Sequence, residues 1–333
     1  MPHDLPPARL HRLEVLDSLR GLAALWVGIY HFTQNGATMH GYPADSALKS
    51  AGTYGYLAVF VFFVISGFII PWALQRGSYH LSEYGRFLLK RLLRLHPLYL
   101  LSAVCMIAPY FFGQAHTMAS VGWSNWWPHF FYLNDLLHRP WLMDIYWTLA
   151  LDFQYCLIAG LILPLLIHHR AWIRLVCLAA FVSLSLIFPE DRWVTHYTAY
   201  FAMGTATFWW FRRLVNLPGF LMILAVCYAV AVKAQWHPHA LMGLGTALSI
   251  AFVPLRHPAL SWLGSISYPF YLFHLVIGGP VNTFLAQRPR DPWVDTAGVC
   301  LALAVSAAGA WALHRWVETP SQRWSSAVRF RNH

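Results

Sequence analysis

Arg20 and His31 are the residues whose types and spacing first suggest chemistry. They stand eleven positions apart in the apolar stretch Leu16–Thr33, LDSLRGLAALWVGIYHFT, with Asp17 just ahead of them. At about 100° per residue, eleven steps return a helical side chain to within about 20° of its start, so guanidinium and imidazole share a face roughly 16 Å apart along the axis. Asp17, Ala24 and Gly28 fall on the same face, which is polar at its ends and small in the middle, with room for a ligand to lie along it. Imidazole takes and returns a proton near neutral pH, and guanidinium grips phosphate. Ionisable groups in an apolar helix turn inward rather than to lipid, so this face is a candidate site.

Four further stretches carry groups of the same kind. YWTLALDFQY sets Asp152, and with it Trp147, inside another apolar run. Counted inward from Ile145, Asp152 lies about 10 Å deep, and His31 lies about 8 Å below the same surface. A carboxylate at that depth is costly unless it is paired, and beside an imidazole it would fix the tautomer and raise the basicity. The alternative is that Asp152 pairs with an Arg or Tyr elsewhere in the bundle. SWLGSISYPFYLFHLVI places Ser267, Tyr271 and His274 on one face as candidate pocket residues, with Pro269 predicted to kink the helix. FFVISGF places Ser66 and Gly67 mid-span, either as a pocket hydroxyl or for close packing. RFLLKRLLRLHP gathers Arg86, Lys90, Arg91 and Arg94 opposite a leucine face. That pattern predicts an amphipathic helix on the cytoplasmic surface, meeting either anionic lipid headgroups or the phosphates of a soluble ligand. Arg91 and Arg94, nearest the following span, are the better phosphate clamp.

The elements that must position these groups are membrane helices. A chain of 333 residues that is 58% hydrophobic and only 11% charged, with 17 Trp, is not an ordinary soluble domain. The expected fold is an all-α polytopic integral membrane protein of about ten transmembrane helices. They centre on residues 16–33, 55–74, 97–113, 145–167, 171–188, 197–211, 217–234, 240–255, 261–284 and 294–316. The net charge of +10 reflects Lys and Arg in loops on one side, among them Arg86–Arg94, Arg170, Arg174, Arg212 and Arg213. That asymmetry places both termini in the cytoplasm, and nucleic acid is not an expected partner. Cys105, Cys156, Cys177, Cys227 and Cys300 stand singly within apolar runs, so they read as packing residues and no metal is expected. The first stretch lacks a cleavage pattern and reads as a retained helix. Without a repeat or soluble linker, residues 1–333 read as a single domain. In the loop 114–144, Trp123, Trp126, Trp127, Tyr132 and Trp141 stand among His116, His129 and His138, as an interfacial belt or a surface for stacking sugars.

Taken together, these stretches resemble the membrane acyltransferase-3 family. The resemblance rests on the Arg20-to-His31 motif, FFVISGF, the RLLR pair Arg91 and Arg94, YWTLALDFQY, SISYPFYLFH and the terminal WVETP, in the family's order along the chain. One departure is Asp152, where the family commonly carries Glu. The resemblance implies an integral membrane O-acyltransferase with acetyl-CoA or another acyl-CoA as donor co-substrate. It further implies phosphates held by Arg91, Arg94 and Arg20, His31 as general base or acyl relay, and a glycan or sugar acceptor, with exopolysaccharide favoured. The expected location is a bacterial-type cytoplasmic membrane. The hydrolase-like domain that some members carry after the membrane part is not expected here. Two other readings stay open: a lipid-linked or small cytoplasmic acceptor, or a glycan transporter without chemistry, although no inverted repeat is visible.

Overall fold

The computed structural model describes residues 7–34, 46–111, 126–286 and 291–330, and among them every regular element is helical. The helices are α1 (Pro7–Thr33), α2 (Ala47–Gly52), α3 (Ala58–Arg76), α4 (Tyr84–Phe111), α5 (Tyr146–Leu166), α6 (Ala171–Ile187) and α7 (Thr198–Phe211). They continue with α8 (Leu217–Ala234), α9 (His237–Phe252), α10 (Pro258–Ser265), α11 (Ser267–Ala286), α12 (Pro292–Leu313) and α13 (Thr319–Ala327). Among the described residues, helix covers most of each of the ten apolar segments. By length and composition, four stretches can cross a bilayer unaided: Ala47–Arg76, Tyr146–Leu166, Leu217–Ala234 and Pro292–Ala327. The bent pair α10 and α11 makes a fifth. The others are short or begin with charged turns. With 14 residues α7 is only about 21 Å long against a hydrocarbon core of about 30 Å.

Three local expectations change. α1 starts at Pro7 rather than near Leu16, because proline suits the first helical turn and nothing after it breaks the helix. The basic stretch is not a separate surface helix: Arg86–Arg94 forms the first turns of α4, which runs unbroken for 28 residues. The break in the His274 segment falls at Ile266, where α10 and α11 meet at 75°, not at Pro269 itself. Pro269 has no N–H to give Ser265's carbonyl, so the first helix ends at that residue and proline takes its tolerated place in the first turn of the next.

The chain divides into two compact units, each built from three stretches. The first comprises residues 1–59, 95–122 and 254–322. Within it α1 crosses α10 so closely that a Cβ on Gly21 would collide with the Leu260 carbonyl and one on Gly264 with that of Asp17. The hydroxyls of Ser18 and Ser261 hydrogen-bond at 3.0 Å across the crossing. α11 lies against α12, where a Cβ on Gly278 would collide with the Ser306 side chain. After α12 a wide π turn, His314–Glu318, holds the first three residues of the WVETP motif, whose last two open α13, and Glu318 accepts from His314 at 2.7 Å and from Gln322 at 3.0 Å.

The second unit comprises residues 60–94, 123–253 and 323–333. Here α3 crosses α7 at Gly67 and Gly204, each without room for a Cβ against the other helix's backbone. Tyr155 of α5 stacks on Phe201 at 4.0 Å, and Trp209 donates to the Leu166 carbonyl at 2.9 Å. The end of α13 is tied to α4 by Ser325 donating to the Lys90 carbonyl, while Lys90 donates to that of Val328.

Candidate active site

His31 comes from the last turn of α1. Its ring lies edge-on to Tyr30 at 5.1 Å, and its side chain is turned inward, with the residue 9% exposed. The strap 46–57 folds back over the end of α1 and fixes that turn. Trp26 donates to the Ala51 carbonyl at 3.0 Å, the Tyr30 and Tyr56 rings meet at 5.7 Å, and Gly52 and Gly55 let the strap lie directly on the helix.

Facing His31 is His274 of α11, the two ring centroids 5.1 Å apart. His274 is 0% exposed, stacked on Phe270 at 5.8 Å and met edge-on by Phe32 at 5.9 Å. Its Nδ1 lies 2.8 Å from the Tyr271 carbonyl and 3.1 Å from that of Phe270. Carbonyl oxygens only accept, so Nδ1 carries the hydrogen and Nε2 keeps its lone pair. Nε2 is buried and has no hydrogen-bond partner among the described residues. Leaving such a group unmatched costs about 1–3 kcal/mol, so this nitrogen is held ready to accept a hydrogen bond.

Polar residues that the sequence did not single out hold this arrangement. Asn282 donates to the Phe32 carbonyl at 2.9 Å, tying α11 to the end of α1 just past His31. Ser306 donates mainly to the Ala302 carbonyl at 2.6 Å with the His274 carbonyl as a second acceptor at 3.3 Å, Ser102 donates to that of Leu272 at 3.2 Å, and Tyr268 to that of Leu95 at 2.6 Å. The available signal was the same for all four: a polar residue in an apolar run, with nothing in the sequence to show which carbonyl it would meet.

The other candidates take separate places. Arg20 is half-buried one turn from Asp17, with 3.8 Å between guanidinium and carboxylate. The expected room along the face between Arg20 and His31 is absent at its middle. Ala24 is fully buried, and the space beside Gly28 is filled by Phe270 and Leu303, because small residues here let three helices close together. Ser267 donates to the Gly264 carbonyl at 2.7 Å and so caps α10, while Tyr271 is buried with its ring 6.3 Å from that of His274.

Asp152, Trp147, Ser66, Arg91 and Arg94 belong to the second unit. Trp147 packs against Phe63 and Tyr197 at 6.4 and 5.9 Å. Ser66 is half-buried beside the Gly67 crossing. Burial first and then the nearby Asp152 charge raise the hydroxyl pKa of Tyr132 above its ordinary value. Arg91 lies over the Phe87 ring at 5.7 Å, and Arg94 is exposed. His116 and Trp123 lie outside the described residues.

A buried pair of imidazoles is a constellation able to carry proton or group transfer, and sequence comparison decides the family. The profile of the acyltransferase domain matches residues 13–315. This chain belongs to the acyltransferase-3 family. Among acyltransferase-3 relatives, the O-acetyltransferase OatA of Staphylococcus aureus is 24% identical over 372 aligned positions, covering 92% of this chain and 57% of the relative. The peptidoglycan O-acetyltransferase OatA of Listeria monocytogenes is 24% identical, covering 92% of this chain and 55% of the relative. A regulator of hypoxia-inducible factor 1 from Caenorhabditis elegans matches 49% of the chain at 26% identity. The chain thus spans a little over half the length of the two O-acetyltransferases. No solved structure matches it.

Proposed function

We propose that the chain is a membrane O-acyltransferase that moves an acetyl or other short acyl group from acyl-CoA to a glycan hydroxyl. The observation that carries this reading is the buried pair of His31 and His274, one imidazole from each of two helices, in a chain of an acyltransferase family. His31 accepts the acceptor's hydroxyl proton as the oxygen attacks the thioester carbonyl. The C–S bond then breaks, and the imidazolium returns the proton to the leaving thiolate, so the products are an ester and free CoA. A relay is equally balanced: His31 attacks the thioester, releases the thiol, and passes the acyl group from its ring nitrogen to the hydroxyl.

The donor side is assigned to guanidinium groups. Arg20, Arg91 and Arg94 have the planar donor geometry that phosphate oxygens need, and they are the residues proposed to hold the CoA phosphates. The reading takes both termini as cytoplasmic, as the Lys and Arg asymmetry favours, so the charged donor is met from the inner side and need not cross. Asp152 is the carboxylate assigned to the same step. A double variant with His31 tests that role, because groups acting on one step show non-additive losses. The first acceptor proposed is an exopolysaccharide unit in a bacterial cytoplasmic membrane. The name of the Listeria relative favours a second, peptidoglycan.

The deciding experiment incubates purified protein in nanodiscs with labelled acetyl-CoA and either exopolysaccharide oligomers or peptidoglycan fragments. Alkali-labile label on one glycan, with one free CoA per ester, supports the reading. An intact thioester with both acceptors overturns it, and glycan movement into sealed proteoliposomes without label transfer would point to an exporter.

A further inference from the structure

The connection between α4 and α5 holds a polar cluster that the imidazole pair does not involve. A 3₁₀ turn, Trp127–Phe131, leads into Tyr132, whose left-handed backbone at φ 56° reverses the chain. The turn folds inward: His129 is 1% exposed and Asn134 0%.

The orientation of these two side chains follows from their neighbours. Asn134 Nδ2 lies 2.9 Å from the Pro140 carbonyl and 3.0 Å from His129 Nε2. Because the carbonyl can only accept, the amide's amino end must point there. Its second hydrogen then goes to His129 Nε2, which puts the ring hydrogen on Nδ1. Burial holds the His129 pKa down to about 4, consistent with a neutral ring. What remains is one buried donor, His129 Nδ1–H, and one buried acceptor, Asn134 Oδ1, neither matched among the described residues. Asp135 adds another acceptor: its Oδ1 takes the Trp141 indole N–H at 2.9 Å, and its Oδ2 is buried and unmatched.

Unmatched donors and acceptors in one short loop call for a ligand that offers both functions, as a hydroxyl does. Trp141 separates a sugar from a lone water. Its edge is tied to Asp135 and its ring set edge-on to His129 at 5.5 Å, yet it stays part-exposed, so one indole face is held in a fixed position beside the polar groups. An apolar ring face next to a fixed donor and acceptors matches a pyranose, which presents C–H bonds on its face and hydroxyls at its edge. A membrane-interface belt needs only the indole.

We propose that His129, Asn134, Asp135 and Trp141 form a binding site for a pyranose unit, with Trp141 under the sugar face and the other three taking its hydroxyls. The site would hold the glycan acceptor, and in that respect it rests on the acyltransferase reading. Its test does not. Full-length protein in nanodiscs is titrated with a β-1,4-linked N-acetylglucosamine tetrasaccharide and with maltotetraose, while hydrogen exchange is followed along the chain. Binding of at least one oligosaccharide, with protection centred on residues 126–146, is the expected result. Trp141→Ala and Asp135→Asn should each weaken that binding tenfold or more, and a control at the exposed Trp293, Trp293→Ala, should bind like wild type. If wild type binds sugar while no ester forms, the sugar site stands and the catalytic reading falls. Absence of protection at 126–146 with both sugars in the wild-type protein overturns the site, because water alone then fills the cluster. Unchanged affinity in Trp141→Ala overturns it as well. The wild-type measurement decides even where a variant fails to fold.

Discussion

The α3–α7 crossing and the α1–α11 pair begin from the same kind of sequence, small residues next to a polar one inside an apolar helix, and end differently. At the first, Gly67 and Gly204 bring two backbones together, and Thr205 donates its hydroxyl to the Gly67 and Phe201 carbonyls at 3.2 and 3.1 Å. At the second, Gly28 closes α1 against Phe270 and Leu303 in the same way, but His274 keeps a buried nitrogen that nothing among the described residues matches. Small residues near polar ones therefore report close packing. At the second, the unmatched nitrogen belongs to an imidazole facing another imidazole, and that pairing is what makes it a candidate site.

The largest effect expected from this contrast is on the site side. His31→Ala should lower ester formation by about 10²–10⁴-fold, the range for removing a general base, while the protein still reaches the membrane and elutes as folded material. Full turnover in that variant would place the base elsewhere. On the packing side, Gly204→Val puts methyl groups where even a Cβ has no room against the α3 backbone. A loss of about 1–3 kcal/mol in stability, or more, is expected from thermal melting in detergent, with activity per folded molecule much less affected. Were both variants to lose activity and stability together, the distinction between site and crossing would break down.

A sharper cut is His274→Gln. Glutamine keeps an amide near the ring's position but cannot hold both the carbonyl-bound Nδ1–H and the Nε2 lone pair in place. Turnover should fall about tenfold to a hundredfold with the Michaelis constant for acyl-CoA unchanged, since the change lies at the imidazole pair and not at the guanidinium groups. An equal rise in that constant without loss of kcat would assign His274 to donor binding.

These contrasts were unevenly legible in the sequence. Apolar runs marked every long helix, and the spacing of Arg20 and His31 marked the candidate residue on α1, because both depend on neighbours along the chain. The break at Ile266 was misplaced because a proline's missing hydrogen bond acts four residues upstream of the proline itself. The continuous α4 was misread because charge suggested a surface helix where no residue interrupts the backbone. Asn282 and Ser306 were passed over because a single polar residue in a span looks the same whether it faces a carbonyl or a pocket. The His274 tautomer and the unmatched atoms of the α4–α5 loop depend on which groups meet in space, and no linear pattern carries that.

The loop extends the comparison to a third region, and its pH response is the smallest effect expected. His129 has an ordinary pKa of 6.5 and a folded value of about 4, lowered by burial. Between those values the unfolded loop binds a proton that the folded loop does not. The stability that neutral His129 contributes is therefore present above 6.5 and is lost as pH falls toward 4. Asp135 works in the opposite sense. Burial raises its pKa from 3.8, so its protonated form favours the folded loop below its folded pKa. Where the two windows overlap the effects oppose each other, and the His129 loss sets in as pH falls below 6.5. Limited proteolysis of the full chain at pH 7 and pH 5, corrected for protease activity on an unfolded standard, should show faster cleavage within 126–146 at the lower pH, whereas His129→Gln should cleave at the same corrected rate at both. A loop equally resistant at both pH values in wild type would mean that His129 already has a partner able to stabilise its charge, and the contrast between matched and unmatched polar atoms would then not reach this part of the chain.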